Sequence, residues 1–301
     1  MRNNSVLFVL LGVLFCLWRL VQIGFCEGKE VSGQRHDIHI DAIEAYNVEA
    51  RIAAWSPQLI DGISGKAYLL ERVGSHINVE DSASLDISGN EITISLWIKP
   101  KGMRYGQEII SKSTKADESW KIAIAREKRK NRKMSNKGRI NFYLKLGSID
   151  ANFVSKKLVE PGTWYHVGCV YNGKERIIYI DGEVDSRQSV SGAIGVNDEP
   201  VKIGGGGSKK WFSGAIDEVA IYNKALSAKD IRRFYLNKRK PKSDEAGLVG
   251  YWSFDNDEGV SVKDGSSNHN DGKLISSWSA EHAKYSDPRQ FVKMHGREGF
   301  P

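Results

Sequence analysis

The chain is poor in cysteine, with three in 301 residues, at Cys16, Cys26 and Cys169. If the first 26 residues are removed, Cys169 stands alone and no internal disulfide can form. An exported domain without disulfides must be held by its apolar core. No long segment keeps a helical repeat, so a helical bundle is excluded. EF-hand spacing is missing, because no Glu takes its place after a loop glycine. No nucleic-acid-binding motif is present either, which leaves nucleic acid without support as a partner despite a net charge of +7.

What is present is a chain with a 40% hydrophobic share, ordinary for a protein that buries a core. Residues 1–26 read as a signal peptide: Arg2 supplies the positive start and SVLFVLLGVLFCLW the apolar run. Gly24 and Cys26 are the small residues expected before a cut ahead of Glu27. The rival is an uncleaved membrane anchor, although Arg19 leaves the run short for a span of ~20 residues. The expected location is secreted or extracytoplasmic, with membrane contact only through an uncleaved leader.

Beyond the leader, short runs rich in Val, Ile, Tyr and Trp alternate with turn signals, as in an all-β sandwich. HDIHIDAIEAY at 36–46 reads as an opening strand, and GKAYLLERVGSHINVE as two strands about Gly74. In ITISLWIKP, Ile92, Ile94, Leu96 and Ile98 share one face and Thr93, Ser95 and Trp97 the other. EIISKS, SWKIAIA, RINFYLKL and NFVSKKL continue a meander. WYHVGCVYN and ERIIYIDGEV then form a hairpin about Asn172-Gly173, with Asp181-Gly182 as a second tight turn. Residues 211–235 read as a strand through Ile216, Val219, Ile221 and Tyr222. A short helix follows, capped by Ser227, with Ile231, Phe234 and Tyr235 on its apolar face.

Residues 211–235, together with 61–100 and 162–188, resemble the laminin G-like, concanavalin A-like lectin jelly roll shared with pentraxins. That resemblance implies an antiparallel jelly-roll β-sandwich, placed here at 36–240. It implies a lectin-like, non-catalytic role, and a structural or ligand-bridging Ca²⁺ such as members often hold. The segment 247–276 is out of place. It resembles the way such a jelly roll begins, with an aromatic strand, an acidic Gly turn and an Asp/Ser/Asn/Gly loop, yet it follows the domain. It is either the stub of a second repeat or a fold-back that supplies strands to the one sandwich; a tail follows at 277–301.

Laminarinase-type glycosidases of this fold carry Glu-x-Asp-x-x-Glu, and this chain has no such run. Asp217 and Glu218 are adjacent, and on a regular strand neighbours point to opposite faces, so they are not expected to share a substrate. Asp217 reads as a buried partner of loop backbone or as a metal ligand. Asp255, Asp257, Asp264, Asn268, Asn270 and Asp271 are closely spaced oxygen donors of the kind Ca²⁺ takes. Asx-rich turns also arise for local backbone reasons.

Trp120, Trp211, Trp252 and Tyr105 are candidate sugar-stacking aromatics, whereas Trp97 and Trp164 lie in strand patterns that point to the core. Cys169 alternates as a small apolar core residue, and His166 falls on the opposite face, which argues against a catalytic thiol. REKRKNRKMSNKGR at 126–139 is a basic hairpin loop. It is either simply solvated or, through Arg129, Lys130, Arg132 and Lys133, a patch for acidic polysaccharide. The expected function is an exported, non-catalytic binding or adhesion module for glycan or another extracellular surface component. The alternatives are a protein-interaction domain without a sugar site and, third, an enzyme of the same fold.

Overall fold

The computed structural model describes residues 57–275, apart from 72–73, 105, 115–116, 129–133, 148, 206–209 and 258. The leader, the 36–46 segment and the tail beyond 275 lie outside the described residues. The chain runs through β1 (Gln58–Asp61), β2 (Lys66–Leu70), β3 (His76–Val79) and the long β4 (Ile92–Pro100). β5 (Gln107–Ser113), β6 (Glu118–Lys128) and β7 (Met134–Leu146) form a meander, and the short β8 (Ile149–Ala151) and β9 (Val154–Val159) pair with β7. β10 (Tyr165–Tyr171), β11 (Glu175–Ile180) and β12 (Glu183–Ser189) make two successive hairpins. β13 (Val201–Ile203) and β14 (Gly214–Tyr222) lead to helix α1 (Ala228–Asn237), and β15 (Leu248–Trp252), β16 (Ser261–Val262) and β17 (Gly272–Ile275) follow.

The strands form two antiparallel sheets. One has eight strands in the order β1-β2-β14-β4-β10-β11-β12, with β15 also on β14. The other has nine, β16-β17-β3-β13-β5-β6-β7-β8, with β9 also on β7. The two strands about Gly74 do not pair with each other: the chain crosses there from one sheet to the other.

Alternation builds the core between the sheets. Ile92, Ile94, Leu96 and Ile98 of β4 are fully buried inside, packed with Ile77, Ile110 and Ile122 of the other sheet. Trp120 is inside as well, because it shares strand parity with Ile122 and Ile124. Trp97 faces outward beneath α1, stacked on Tyr235 at 5.7 Å, and Trp164 is half-buried just before β10. Cys169 is buried in the core, where burial pushes its thiol pKa up, while His166 bonds Ser95 on the other face.

The Asp181-Gly182 turn has positive φ at both residues (55° and 78°), the twist that suits a two-residue hairpin. Helix α1 starts at Ser227, whose hydroxyl accepts from the Asp230 N–H, and Ile231 and Phe234 are its buried residues. Gly168 on β10 makes room for it, since a Cβ there would lie 3.0 Å from Ile231 Cγ2.

β14 organises one end of the sandwich. One of its edges pairs along its length with β4. The other is shared, with β2 beside Gly214–Ile216 and β15 beside Val219–Tyr222. A bulge between Asp217 and Ala220 separates the two, with Glu218 at φ 50°. The chain then crosses to the opposite sheet, where Leu274 of β17 pairs with Ile77. Trp252, Phe254 and Val262 join the same core as Leu96.

Candidate functional site

The outer face of the eight-stranded sheet is partly covered by helix α1. Val170, Ile177, Tyr179 and Tyr222 project there and pack against Ile231 and Phe234 of α1. The outer face of the nine-stranded sheet is polar. Because Ile77, Ile203, Ile110 and Ile122 point to the core, their neighbours Asn78, Lys202, Ser111 and Lys121 point outward. The register aligns these in one row across the sheet: Lys273, Asn78, Lys202, Ser111, Lys121 and Tyr143.

Beside this row sits a buried polar floor. Glu108 is only 6% exposed; its carboxylate lies 3.4 Å from Lys210 Nζ and accepts from Ser111 Oγ at 3.5 Å. Trp211 bridges to Glu108 and carries the Arg104 guanidinium 4.7 Å over its ring. The Trp211 indole is 9% exposed, and its buried Nε1–H has no hydrogen-bond partner among the described residues. Lys121 Nζ lies 4.2 Å from the Tyr143 ring centre and pairs with Glu118. Burial opposes ionisation of Glu118, yet hydrogen bonds from Lys121 and Tyr143 hold its pKa below the ordinary value. Burial, together with the nearby charge of Lys202, lowers the pKa of His76 despite its bond to Gly74 O.

The acidic residues at the β14 bulge form a separate cluster. The regular alternation expected at Asp217-Glu218 fails because the bulge interrupts it; Asp217 lies near Asp255 and Glu218 beside Lys240, which also pairs with Asp255. Asp217 is fully buried and accepts from the N–H groups of Ile63 (2.8 Å), Ser64 (3.3 Å) and Glu218 (2.8 Å). Burial pushes its pKa up to about 6, and that of Glu218 up to about 7. Asp255 accepts from Lys66 N at 2.8 Å and pairs with Lys240; Asp257 accepts from Lys263 N at 2.8 Å.

The remaining oxygen donors hold their own loop. Asp264 accepts from Tyr251 N, Ser266 N and Asn270 N, each within 2.8 Å. Asn270 O receives the Trp252 indole N–H at 3.0 Å, Asn268 donates to Leu248 O at 3.0 Å, and Asp271 accepts from Asp264 N at 2.9 Å. Among the described residues no group of three or more His, Cys, Asp or Glu is arranged to hold a metal ion. The carboxylates of Asp217, Asp255, Asp264 and Asp271 are turned to backbone N–H groups and lysines, which leaves no assembled Ca²⁺ ligand set among the described residues.

Of the candidate aromatics, Trp120 and Trp252 are buried in the core; Trp211 is on the polar face but only 9% exposed beneath Arg104, so none of the three presents an open ring for a sugar to stack on. Tyr105, Arg129, Lys130, Arg132 and Lys133 lie outside the described residues. Sequence reasoning missed Glu108, Lys202, Arg104 and Tyr143. Strand parity within SWKIAIA was the available signal, since it places Lys121 opposite Trp120.

Comparison with known proteins agrees with this architecture. A candidate carbohydrate-binding protein from Bacteroides ovatus superposes with a TM-score of 0.54 at 18% identity, over 69% of this chain and 59% of that one. The present chain thus spans well under two thirds of that protein's length. Domain 4 of the arabinanase AbnA from Geobacillus stearothermophilus gives a TM-score of 0.46 at 19% identity, over 60% of this chain and 81% of that one. A pentraxin from Limulus polyphemus gives 0.44 at 17%, over 66% and 93%. Comparison with curated protein sequences found no significant match. The sequence profile of the concanavalin A-like lectin/glucanases superfamily matches residues 71–232, more than half of the chain. The chain belongs to that superfamily.

Proposed function

We propose that this protein is an exported, non-catalytic carbohydrate-binding module whose ligand lies on the outer face of the nine-stranded sheet. The observation that carries the reading is the Trp211 site: a buried indole N–H without a partner among the described residues, beside a buried carboxylate and beneath an arginine. Sugar recognition uses fixed polar groups for the hydroxyls, and Trp211, 9% exposed beneath Arg104, supports these groups from below rather than stacking on a sugar ring. Helix α1 covers part of the opposite outer face. The likeness to a candidate carbohydrate-binding protein supports the same reading. A hydrolytic role lacks support, because Glu108 and Glu118 on this face are engaged by lysines.

A glycan array followed by calorimetry tests the proposal. Trp211→Phe keeps the ring and removes the N–H, and Arg104→Ala removes the cation. Each is expected to weaken binding about 5- to 50-fold, the loss of one or two hydrogen bonds. Turnover of a bound polysaccharide, abolished by Asp217→Asn or Glu218→Gln, would overturn the non-catalytic reading.

A further inference from the structure

We infer that the sheet face selects linear anionic polysaccharide, with the chain lying across the strands along the lysine row; this rests on the carbohydrate-binding reading. The register puts Lys273 on β17, Lys202 on β13 and Lys121 on β6, on alternate strands of the sequence β17-β3-β13-β5-β6. With neighbouring strands ~4.8 Å apart, the lysine positions recur about every 10 Å and span about 19 Å. A glycan with one carboxylate or sulfate per disaccharide repeats its charge at about that interval. Asn78, half-buried, stands between Lys273 and Lys202 and offers hydrogen bonds where such a chain presents hydroxyls, whereas Ser111 is fully buried and bonded to Glu108.

The charges are not equivalent. Lys121 shares its charge with Glu118, so its end of the row is close to neutral. Lys202 and Lys273 have no ion-pair partner among the described residues, and Lys202 is half-buried. A half-buried unpaired ammonium is less screened than a free surface lysine and gains more from an incoming anion. The unpaired pair therefore sets the preference for charge, and Lys121 with Tyr143 closes the far end.

The test uses the full exported chain and oligosaccharides of one backbone, in acidic and carboxyl-reduced neutral form, at increasing length. Affinity for the acidic series is expected to rise until an oligomer spans two charges, one for Lys202 and one for Lys273, and then level off, and to fall with added salt. Lys202→Gln and Lys273→Gln are each expected to weaken acidic binding about 5- to 10-fold, equivalent to about 1–1.4 kcal/mol. The thermal midpoint should be unchanged. Equal affinity for the neutral series, or acidic binding untouched by both substitutions, would overturn the lysine row while leaving the carbohydrate-binding reading standing. Equal binding of a single-stranded oligonucleotide would likewise overturn it, showing charge attraction without a glycan. Failure of every oligosaccharide, acidic and neutral, would remove the carbohydrate-binding reading itself.

Discussion

Tyr251 donates its phenolic hydrogen to Glu218 Oε2, tying strand β15 to the bulge in β14. The bond joins residues far apart in the chain at the point where the β14 edge passes from β2 to β15. Lys240, in the connection before β15, sits 3.4 Å from the other oxygen of the same carboxylate and also pairs with Asp255. The return of the chain after α1 is thus anchored on a buried acid whose ionisation is costly.

That acid makes stability depend on pH. The Glu218 pKa rises in the folded state from 4.5 to about 7, so the native protein holds this proton more tightly than the unfolded chain. Its stabilising contribution is complete below the unfolded value and is lost as pH rises through about 7. Asp217, pushed to about 6, acts in the same direction over a lower window, and the two titrate as a pair. Denaturant unfolding at pH 5 and pH 8 should show Glu218→Gln reducing the difference by about 1–3 kcal/mol. An unchanged pH difference would refute the assignment.

His166 acts with the opposite sign. It is fully buried, and burial together with Lys238 lowers its pKa from 6.5 to about 3. The unfolded chain therefore binds a proton that the folded chain refuses, and stability is lost as pH falls from 6.5 toward 3. His166→Gln should flatten this acid limb in thermal melts while also losing some packing beneath α1. A variant with an acid limb as steep as the parent would show that other groups cause it.

Trp252 is fully buried, with its indole N–H on Asn270 O, so Trp252→Ala should cost about 3–5 kcal/mol. Deleting everything after Lys240 should do more, since it uncovers the edges of β14 and β3 and the apolar surface beneath Trp252 and Phe254. Aggregation or loss of folding is expected on size-exclusion chromatography. A soluble, monomeric 27–240 fragment would contradict it.

Lys112 is 1% exposed, and its ammonium is held by Asp81 (2.5 Å), Asp86 (3.2 Å), Asn197 O (2.6 Å) and Glu199 O (3.0 Å). It pins two loops at one end of the nine-stranded sheet. Lys112→Met keeps the stem but leaves two carboxylates and two carbonyls without their cation, at a cost of about 3 kcal/mol. Adding Asp81→Asn and Asp86→Asn should recover part of that loss. A fully additive triple variant would show that the groups are not coupled.

Much of the architecture was legible because it rests on local chemistry. Period-two alternation in ITISLWIKP settles which residues face the core. Gly173 and the Asp181-Gly182 pair place two hairpins, since few residues accept the positive φ found at these three positions. Ser227 marks the start of α1 by capping it. The candidate site was much less legible. Trp120 and Trp211 are the same residue type in similarly polar surroundings, yet one fills the core and the other lies under Arg104. The acidic residues of 255–271 look like a cation loop in sequence because nothing local reveals which backbone N–H groups they will meet.

Sequence by itself determined the fold class, the strand faces and the capped helix, because each depends on a few neighbouring residues and the geometry of one chain. Tertiary structure alone decided that β2 and β15 share one edge of β14, since a bulge and a pairing between distant strands set that edge. It also decided that Lys273, Lys202 and Lys121 stand in one row, because register between strands far apart in the chain is a property of the assembled sheet.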